Sequence, residues 1–202
     1  MSSGDARAQE RRVTRHGGDY LDGKIMADPH NVGTSRASFD FSGAENVFRT
    51  HEATLQLLGD VSYYGDDQGA AAVQFQAQVG MGYELLIGFL HTVRLVAAEG
   101  LEPEKFAERF AGSLSGYAAL LPMMAKAVTN TEYAPDLGPL TVQAPLMDDL
   151  IEHRVAVGVG ALRMREVKRL MDLRIAQGHG DEGFSGLFEV LDQESATKGS
   201  GV

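Results

Sequence analysis

The stretch that decides the fold runs from Gly69 to Gly100 and reads GAAAVQFQAQVGMGYELLIGFLHTVRLVAAEG. It contains no proline, it follows an Asp66-Asp67 pair that suits a helix start, and its last glycine suits a left-handed helix end. It predicts one helix about 48 Å long, at a rise of roughly 1.5 Å per residue. Its apolar residues lie on all sides, which favours burial by other helices and by a second subunit.

A membrane-spanning helix is the first alternative for this stretch. The most apolar window, residues 79–98, contains Glu84, His91 and Arg94. Each charge near the centre of a span costs roughly 2.5 to 3.5 kcal/mol on insertion scales. We therefore predict a central helix packed against protein, and we expect no membrane partner.

Composition narrows the classes of function. The 202 residues carry a formal net charge of −10, which argues against binding to nucleic acid or to an anionic membrane. The absence of cysteine excludes disulfides, thiolate metal sites and cysteine nucleophiles. Residues 1–30 contain no apolar run typical of a secretory signal, so we expect a cytoplasmic protein.

The rest of the chain predicts a mainly α protein in three parts. Residues 1–65 form a short strand-containing piece, residues 66–191 a helical domain around the long helix, and residues 192–202 a disordered tail. In the first part, a Ser42–Glu45 capping box predicts a helix start. The other predicted elements are a helix at 6–16, strands at 20–27, 38–41 and 61–64, and helices from 103, at 113–128, 142–156, 162–177 and 184–191.

Familiar catalytic motifs are weak. The pairs Gly80-Met81-Gly82 and Gly158-Val159-Gly160 each lack the third glycine of a dinucleotide fingerprint and follow no strand. Asp149, Glu152 and His153 share a helix face, but no second carboxylate-histidine element accompanies them, and we predict no metal site.

One predicted helix is rich in basic residues. A solvated face is the favoured interpretation, and phosphate contact is the alternative. The residues are Arg163, Arg165, Lys168, Arg169 and Arg174.

The most informative cluster lies on the long helix. Phe75, Val79 and Tyr83 follow one another at four-residue spacing, and Ile87 continues the series. Three glycines lie beside them, although glycine costs about 1 kcal/mol in a helix interior, which calls for a packing or ligand reason. From the spacing alone, the favoured interpretation is that Tyr83 is a core residue with a satisfied hydroxyl, and a ligand-binding wall is the alternative.

Several segments resemble a known family. They are YLDGKIMADPHNVGT (20–34), FSGAENVFRTHEATLQLLGDVSYYGDDQGAAA (41–72), YELLIGFLHTVRLVAAEG (83–100) and AQGHGDEGFSGLFEVL (176–191). In this order they resemble the C-terminal two-thirds of bacterial imine reductases and reductive aminases, within the 6-phosphogluconate and hydroxyisobutyrate dehydrogenase-like group. The similarity extends over residues 6–191.

The resemblance implies an architecture. In this family an N-terminal Rossmann domain binds NADPH, and a long helix leads into a helical domain that interlocks with its twin. The substrate site lies between one subunit's Rossmann domain and the other's helices. We therefore expect a 6-phosphogluconate-dehydrogenase C-terminal-like homodimer that begins at the last helix and strand of a Rossmann domain. By this resemblance the chain alone binds no cofactor, and NADPH would need a missing or separate domain.

The resemblance also assigns chemistry. The family commonly places an aspartate or tyrosine early on the long helix as proton donor to the imine nitrogen, and Phe75 occupies that position here. A further active-site tyrosine of the family matches Tyr83, so the resemblance implies that Tyr83 is catalytic and that Phe75, Val79, Tyr83 and Ile87 bind substrate. We expect a pocket for an apolar amine or imine, with a separate Rossmann-domain protein as partner for reduction. The alternatives are a repurposed non-redox enzyme or binding protein, for example one that cyclises a natural-product intermediate, and a truncated pseudoenzyme.

Overall fold

A three-stranded sheet organises the N-terminal part of the computed structural model, which describes residues 2–192. Strand β1 (Leu21–Met26) pairs antiparallel with β2 (Ser38–Gly43), and β2 pairs parallel with β3 (Asp60–Tyr63). Helix α2 (Glu45–Leu55) connects the parallel pair, since parallel neighbours need a crossover connection. All three predicted strands are confirmed.

Aromatic side chains fill the core between this sheet and α2. Phe48 of α2 is only 2% exposed, and its ring stacks on Tyr63 at 4.7 Å and lies 6.1 Å from Phe41. Phe39 and Ala37 complete the buried cluster. Burial, together with the hydrogen bond to Asp66, raises the pKa of Tyr63 to about 12.

The predicted capping box at Ser42 is wrong. Ser42 lies in β2, and α2 begins at Glu45 after Ala44, which provides no side-chain cap. The Ser42 hydroxyl is fully buried and instead accepts a hydrogen bond of 3.0 Å from the Ala71 N–H. The serine therefore caps the long helix rather than the helix that follows it in sequence.

The long helix, α3 (Ala70–Ala98), is held at its start by a second contact. Helix α1 (Ser3–Thr14) carries Arg7, whose guanidinium donates two hydrogen bonds of 2.8 and 2.6 Å to the Asp67 carboxylate. Asp67 also accepts from the Gly69 N–H at 3.0 Å. The hydrogen bond from Arg7 is the main cause that lowers the pKa of Asp67 to about 2.

The predicted length and end of α3 are confirmed. Its 29 residues span about 44 Å at roughly 1.5 Å per residue. It is followed by Gly100 in a left-handed conformation (φ 70°). By length and composition alone α3 would suffice to cross a membrane, a criterion that core helices of soluble proteins also meet.

By internal packing the chain divides into two units, Met1–Ile87 and Gly88–Val202, and α3 contributes to both. The predicted division at residues 65 and 66 stays a prediction. Residues 193–202 of the predicted tail lie outside the described residues.

The second unit is helical. Helices α4 (Pro103–Asn130), α5 (Leu140–Ala156) and α6 (Leu162–Ala176) follow α3, and residues Phe184–Val190 form a 3-10 helix. The core members come from α5, α6 and the 3-10 helix: Leu140, Ala144, Leu170, Met171, Leu187 and Val190. The predicted mainly α fold is confirmed. The predicted break before Ser113 is wrong, because α4 continues through it as one helix of 28 residues with Pro122 inside.

Candidate functional site

The four predicted site residues occupy one winding strip of α3. Each four-residue step advances about 6 Å along the helix and turns about 40° around it. Phe75 and Val79 are half-buried, whereas Tyr83 is 69% exposed and Ile87 is 37% exposed. The strip thus passes from a partly covered end to an open one.

The prediction that α3 is buried on most sides is wrong for the chain by itself. Only 6% of its most apolar 18-residue window is buried. The exposed apolar side chains of its middle lie around most of the helix, and we call them together the α3 face: Met81, Tyr83, Leu85, Leu86, Ile87 and Leu90. The apolar pattern was predicted correctly but the covering surface was not, because the described chain does not supply one.

Tyr83 is not a core residue of its own chain. With 69% of its surface exposed, its ring and hydroxyl are open to a ligand or to another protein surface. This excludes, for the isolated chain, the alternative of a buried tyrosine with an internal partner. The catalytic role of Tyr83 stays a prediction, as do the substrate-binding roles of Phe75, Val79 and Ile87.

Two further helices expose apolar faces that the sequence reasoning did not single out. On α5, Val142, Leu146 and Leu150 follow one another at four-residue spacing and are exposed. On α4, Tyr117 and Leu121 have the same spacing and are exposed as well. The available signal was the helical repeat of these residues, which marks a face but not what covers it.

An aromatic row stiffens the junction between the end of α3 and α4. Phe89 lies 6.2 Å from Phe106 and 6.4 Å from Phe110, and these two rings are 5.8 Å apart. Tyr117 extends the row at 6.2 Å from Phe110. Phe106 and Phe110 thus share one face of α4. Such ring pairs add about 0.5 to 1.5 kcal/mol each beyond their buried area.

A cleft of about 470 Å³ lies at the end of α4, and none of the predicted site residues lines it. Its wall includes Lys126, Glu132, Asp136 and Ser185. Asp136 accepts hydrogen bonds from the backbone N–H groups of Phe184 and Ser185 at 2.7 and 3.1 Å. The carboxylate therefore caps the 3-10 helix, a structural role that accounts for its position.

A complete Gly-x-Gly-x-x-Gly pattern, Gly178 to Gly183, escaped the sequence reasoning. It joins α6 to the 3-10 helix and follows no strand. A Cβ at Gly180 would lie 2.6 Å from Thr141 Cγ2, and one at Gly183 would collide with Asp136. These glycines allow close packing beside a carboxylate, which disfavours a pyrophosphate. The pattern does not fit NADPH, and we assign it no role in nucleotide binding.

Of the three side chains considered as metal ligands, His153 contacts a carboxylate outside the group. His153 Nε2 lies 2.9 Å from Glu99 Oε1. Within residues 2–192, no three histidine, aspartate or glutamate side chains converge in a way that would hold a metal ion.

The basic residues of α6 mostly form ion pairs. Lys168 lies 2.6 Å from Asp172, and Arg169 lies 2.7 Å from Glu166. Arg174 is buried and pairs with Glu182 at 2.8 Å, so it is not part of a solvated face as predicted.

Comparison with known proteins identifies the helical part. Residues 67–193 match the model of the family described as NADPH-dependent reductive aminase-like, C-terminal domain. The chain is 31% identical over 188 residues to the NADPH-dependent reductive aminase of Aspergillus oryzae, covering 89% of this chain and 62% of that protein. It thus spans somewhat less than two-thirds of that curated relative.

Solved structures agree with this assignment. The reductive aminase of Aspergillus terreus, in complex with NADPH and ethyl levulinate, superposes with a TM-score of 0.83 at 27% identity, over 94% of this chain and 67% of that one. The imine reductase of Myxococcus stipitatus, in complex with NADP⁺, gives 0.85 at 26% identity, over 95% and 70%. The chain therefore belongs to the NADPH-dependent reductive aminase-like family, whose C-terminal domain it contains.

Proposed function

We propose that this chain forms the dimeric substrate-binding domain of an imine reductase-like enzyme that acts on an apolar amine or imine. The observation that carries the proposal is the α3 face, an exposed apolar surface in a member of this family. Apolar helices rarely face water over so many side chains, and large exposed patches mark interaction surfaces. A second copy and a ligand would together cover what the chain leaves open.

Tyr83 is the polar group that we assign to the substrate. It is the tyrosine of the α3 face, and its hydroxyl is able to donate a hydrogen bond to a nitrogen or carbonyl. Phe75, Val79 and Ile87 would provide apolar contacts along the same strip, as is usual for small-molecule sites.

The residues of this helical unit are not the ones that we expect to bind NADPH. We assign nucleotide binding to a Rossmann-type domain outside the described residues, either elsewhere in a longer polypeptide or on a separate protein. The glycine pattern at residues 178–183 gives no support for a nucleotide site within the helical unit.

A binding experiment tests the pocket. A related Aspergillus terreus structure contains cyclohexanone and allyl amine, so the secondary amine that reductive amination would form from them is a suitable probe. Titration followed by NMR should show saturable binding that Tyr83→Phe weakens by about 1 to 3 kcal/mol, the cost of an unpaired buried partner. Tyr64→Phe, in the segment before α3, is the matched control and should bind as the wild type does. Equal affinity in Tyr83→Phe, or a much earlier melt, would remove Tyr83 from the site.

A second experiment tests the source of hydride. NADPH with cyclohexanone and allyl amine should be consumed at the background rate by this chain alone. Consumption well above background, or micromolar NADPH binding by fluorescence titration, would contradict the assignment of the nucleotide to other residues.

A non-redox function is the second candidate, and Phe75 is the observation that favours it. A phenyl ring stands where the family resemblance places a proton donor, and a ring cannot supply a proton. If amine binding is retained while no added Rossmann-domain protein of this family supports NADPH consumption, the binding or cyclising role is the better account.

A further inference from the structure

A small enclosed cavity lies at the N-terminal end of α6, within the helical unit. Its volume is about 40 Å³, and its lining residues are Gly88, His91, Thr92, Arg154, Gly160, Arg163 and Met164. A cavity of this size holds a few water molecules or one compact ion, but not a nucleotide or a sugar. It is separate from the strip that carries Tyr83, since no predicted site residue lines it.

Arg154 is the unusual member of this lining. It lies in the last turn of α5 and is only 9% exposed. Its Nε atom is buried and has no hydrogen-bond partner among the described residues. A buried donor of a charged side chain without a partner is costly, because that atom has lost its hydrogen bonds to water and gained none in the protein.

The backbone adds unpaired donors on the same side. Ala161, the residue before α6, offers no side-chain cap, so the first N–H groups of this 15-residue helix have no side-chain acceptor there. Arg163 and Met164, from the first turn of α6, line the cavity together with Gly160, which precedes the N-cap residue. A helix N-terminus carries a partial positive charge that favours anions.

Among the described residues that line the cavity there are two arginines and a histidine, and none is an aspartate or a glutamate. The Thr92 hydroxyl donates to the Gly88 carbonyl at 3.1 Å and is thereby occupied. The argument depends on Arg154 and the helix N-terminus, and does not require Arg163 to be unpaired.

We infer that this cavity binds a compact monovalent anion, a halide or a small carboxylate, held by Arg154 and the N-terminus of α6. The anion would accept a hydrogen bond from Arg154 Nε and balance its buried charge. It would also link the end of α5 to the start of α6, across the turn closed by the hydrogen bond from the Val159 N–H to the Arg154 carbonyl (2.8 Å). This inference does not depend on the proposed function.

Chloride NMR line broadening tests it on the full chain. Protein in a bulky sulfonate buffer is titrated with sodium chloride, and the excess line width reports bound chloride. The wild type should show saturable broadening, and Arg154→Met should weaken binding at least about tenfold, as expected for loss of a charge-assisted hydrogen bond. Arg165→Met is the control. It changes an exposed arginine of α6 that does not line the cavity, and it should leave the broadening unchanged.

Competition distinguishes the two sources of the anion. Formate or acetate that removes the chloride broadening assigns the site to carboxylates as well, whereas retention of the broadening assigns it to halides. Arg154→Lys keeps the charge and removes Nε, so it provides the same test if Arg154→Met does not fold. No saturable broadening in the wild type, or broadening in both Arg154 variants as strong as in the wild type, would overturn the inference.

Discussion

The first turn of α3 and the middle of the same helix have opposite environments. Ala71 and Ala72 are fully buried, and Ser42, Asp67 and Arg7 secure the helix start. The apolar side chains of the α3 face, from Met81 to Leu90, are exposed instead. The beginning of α3 therefore completes the core of its own unit, and we propose that a second copy covers the middle. We expect substitutions in the two regions to affect different measurable quantities.

The largest expected effect is a loss of stability from a substitution in the aromatic core around Phe48. Phe48→Ala removes the ring stacked between Phe41 and Tyr63 and leaves a cavity that its neighbours fill only in part. It should lower the free energy of unfolding by about 3 to 5 kcal/mol in urea titrations. Phe188→Ala, which truncates an exposed phenylalanine of the 3-10 helix, is the control and should cost much less. Equal losses would show that exposure in the single chain does not report on packing in solution.

The next largest effect concerns dimerisation through the α3 face. Leu86 is 58% exposed at the centre of the α3 face, and Leu86→Glu places a charge where a second copy should contact it. The dimer dissociation constant should rise at least about 30-fold, corresponding to a loss of roughly 2 kcal/mol at a central contact. Leu57→Glu changes an exposed leucine just after α2 and should leave dimerisation unchanged. Sedimentation equilibrium measures both, and equal effects would remove the α3 face from the interface.

A smaller effect concerns the cap that joins the two regions. Ser42→Ala leaves the buried Ala71 N–H without its acceptor and should lower the free energy of unfolding by about 1 to 2 kcal/mol. Ser38→Ala, at the other end of β2, should change it by less than about 0.5 kcal/mol. Thermal and urea unfolding at one protein concentration provide the comparison. Similar values for the two variants would deny Ser42 its capping role.

The smallest effect is electrostatic. Because the pKa of Asp67 is lowered to about 2 in the folded protein, its contribution to stability is present above its unfolded pKa of about 4 and is lost as pH falls toward 2. Arg7→Met should remove this contribution, so the stability difference between wild type and variant should shrink between pH 4 and 2. Both side chains are about half exposed, so the difference should be small and should decline with salt. A difference that stays constant across this pH range would contradict the assignment.

Local signals in the sequence predicted the elements well but not the partners of their ends. Gly100 and the Asp66-Asp67 pair marked the limits of α3 correctly, because helix ends are governed by nearby residues. The Ser42–Glu45 motif failed because the Ser42 hydroxyl bonds to Ala71, 29 residues later in the chain. A pattern of a few neighbouring residues cannot predict a hydrogen bond between residues so far apart in the sequence. The break expected before Ser113 is also absent: α4 continues through Gly112, since one glycine in a helix interior costs only about 1 kcal/mol.

The candidate site was less predictable than the fold. The spacing of Phe75, Val79 and Tyr83 established that they follow one strip of a helix, but not whether the strip faces a core, a ligand or a second copy. Exposure of Tyr83 removes the first of these for the isolated chain. The buried, unpartnered Nε of Arg154 could not be predicted either. The burial of a single arginine depends on residues far away in the sequence, here Gly88 and His91, and on the start of α6, which line the same cavity.

The most direct test of the central claim is the mass of the purified chain by light scattering at micromolar concentration. If the α3 face is covered by a second copy, the mass should be twice 21.7 kDa, with the helical circular dichroism of a fully folded protein. A mass of 21.7 kDa with unchanged helical content would show that the α3 face is stable in water by itself and would contradict the account.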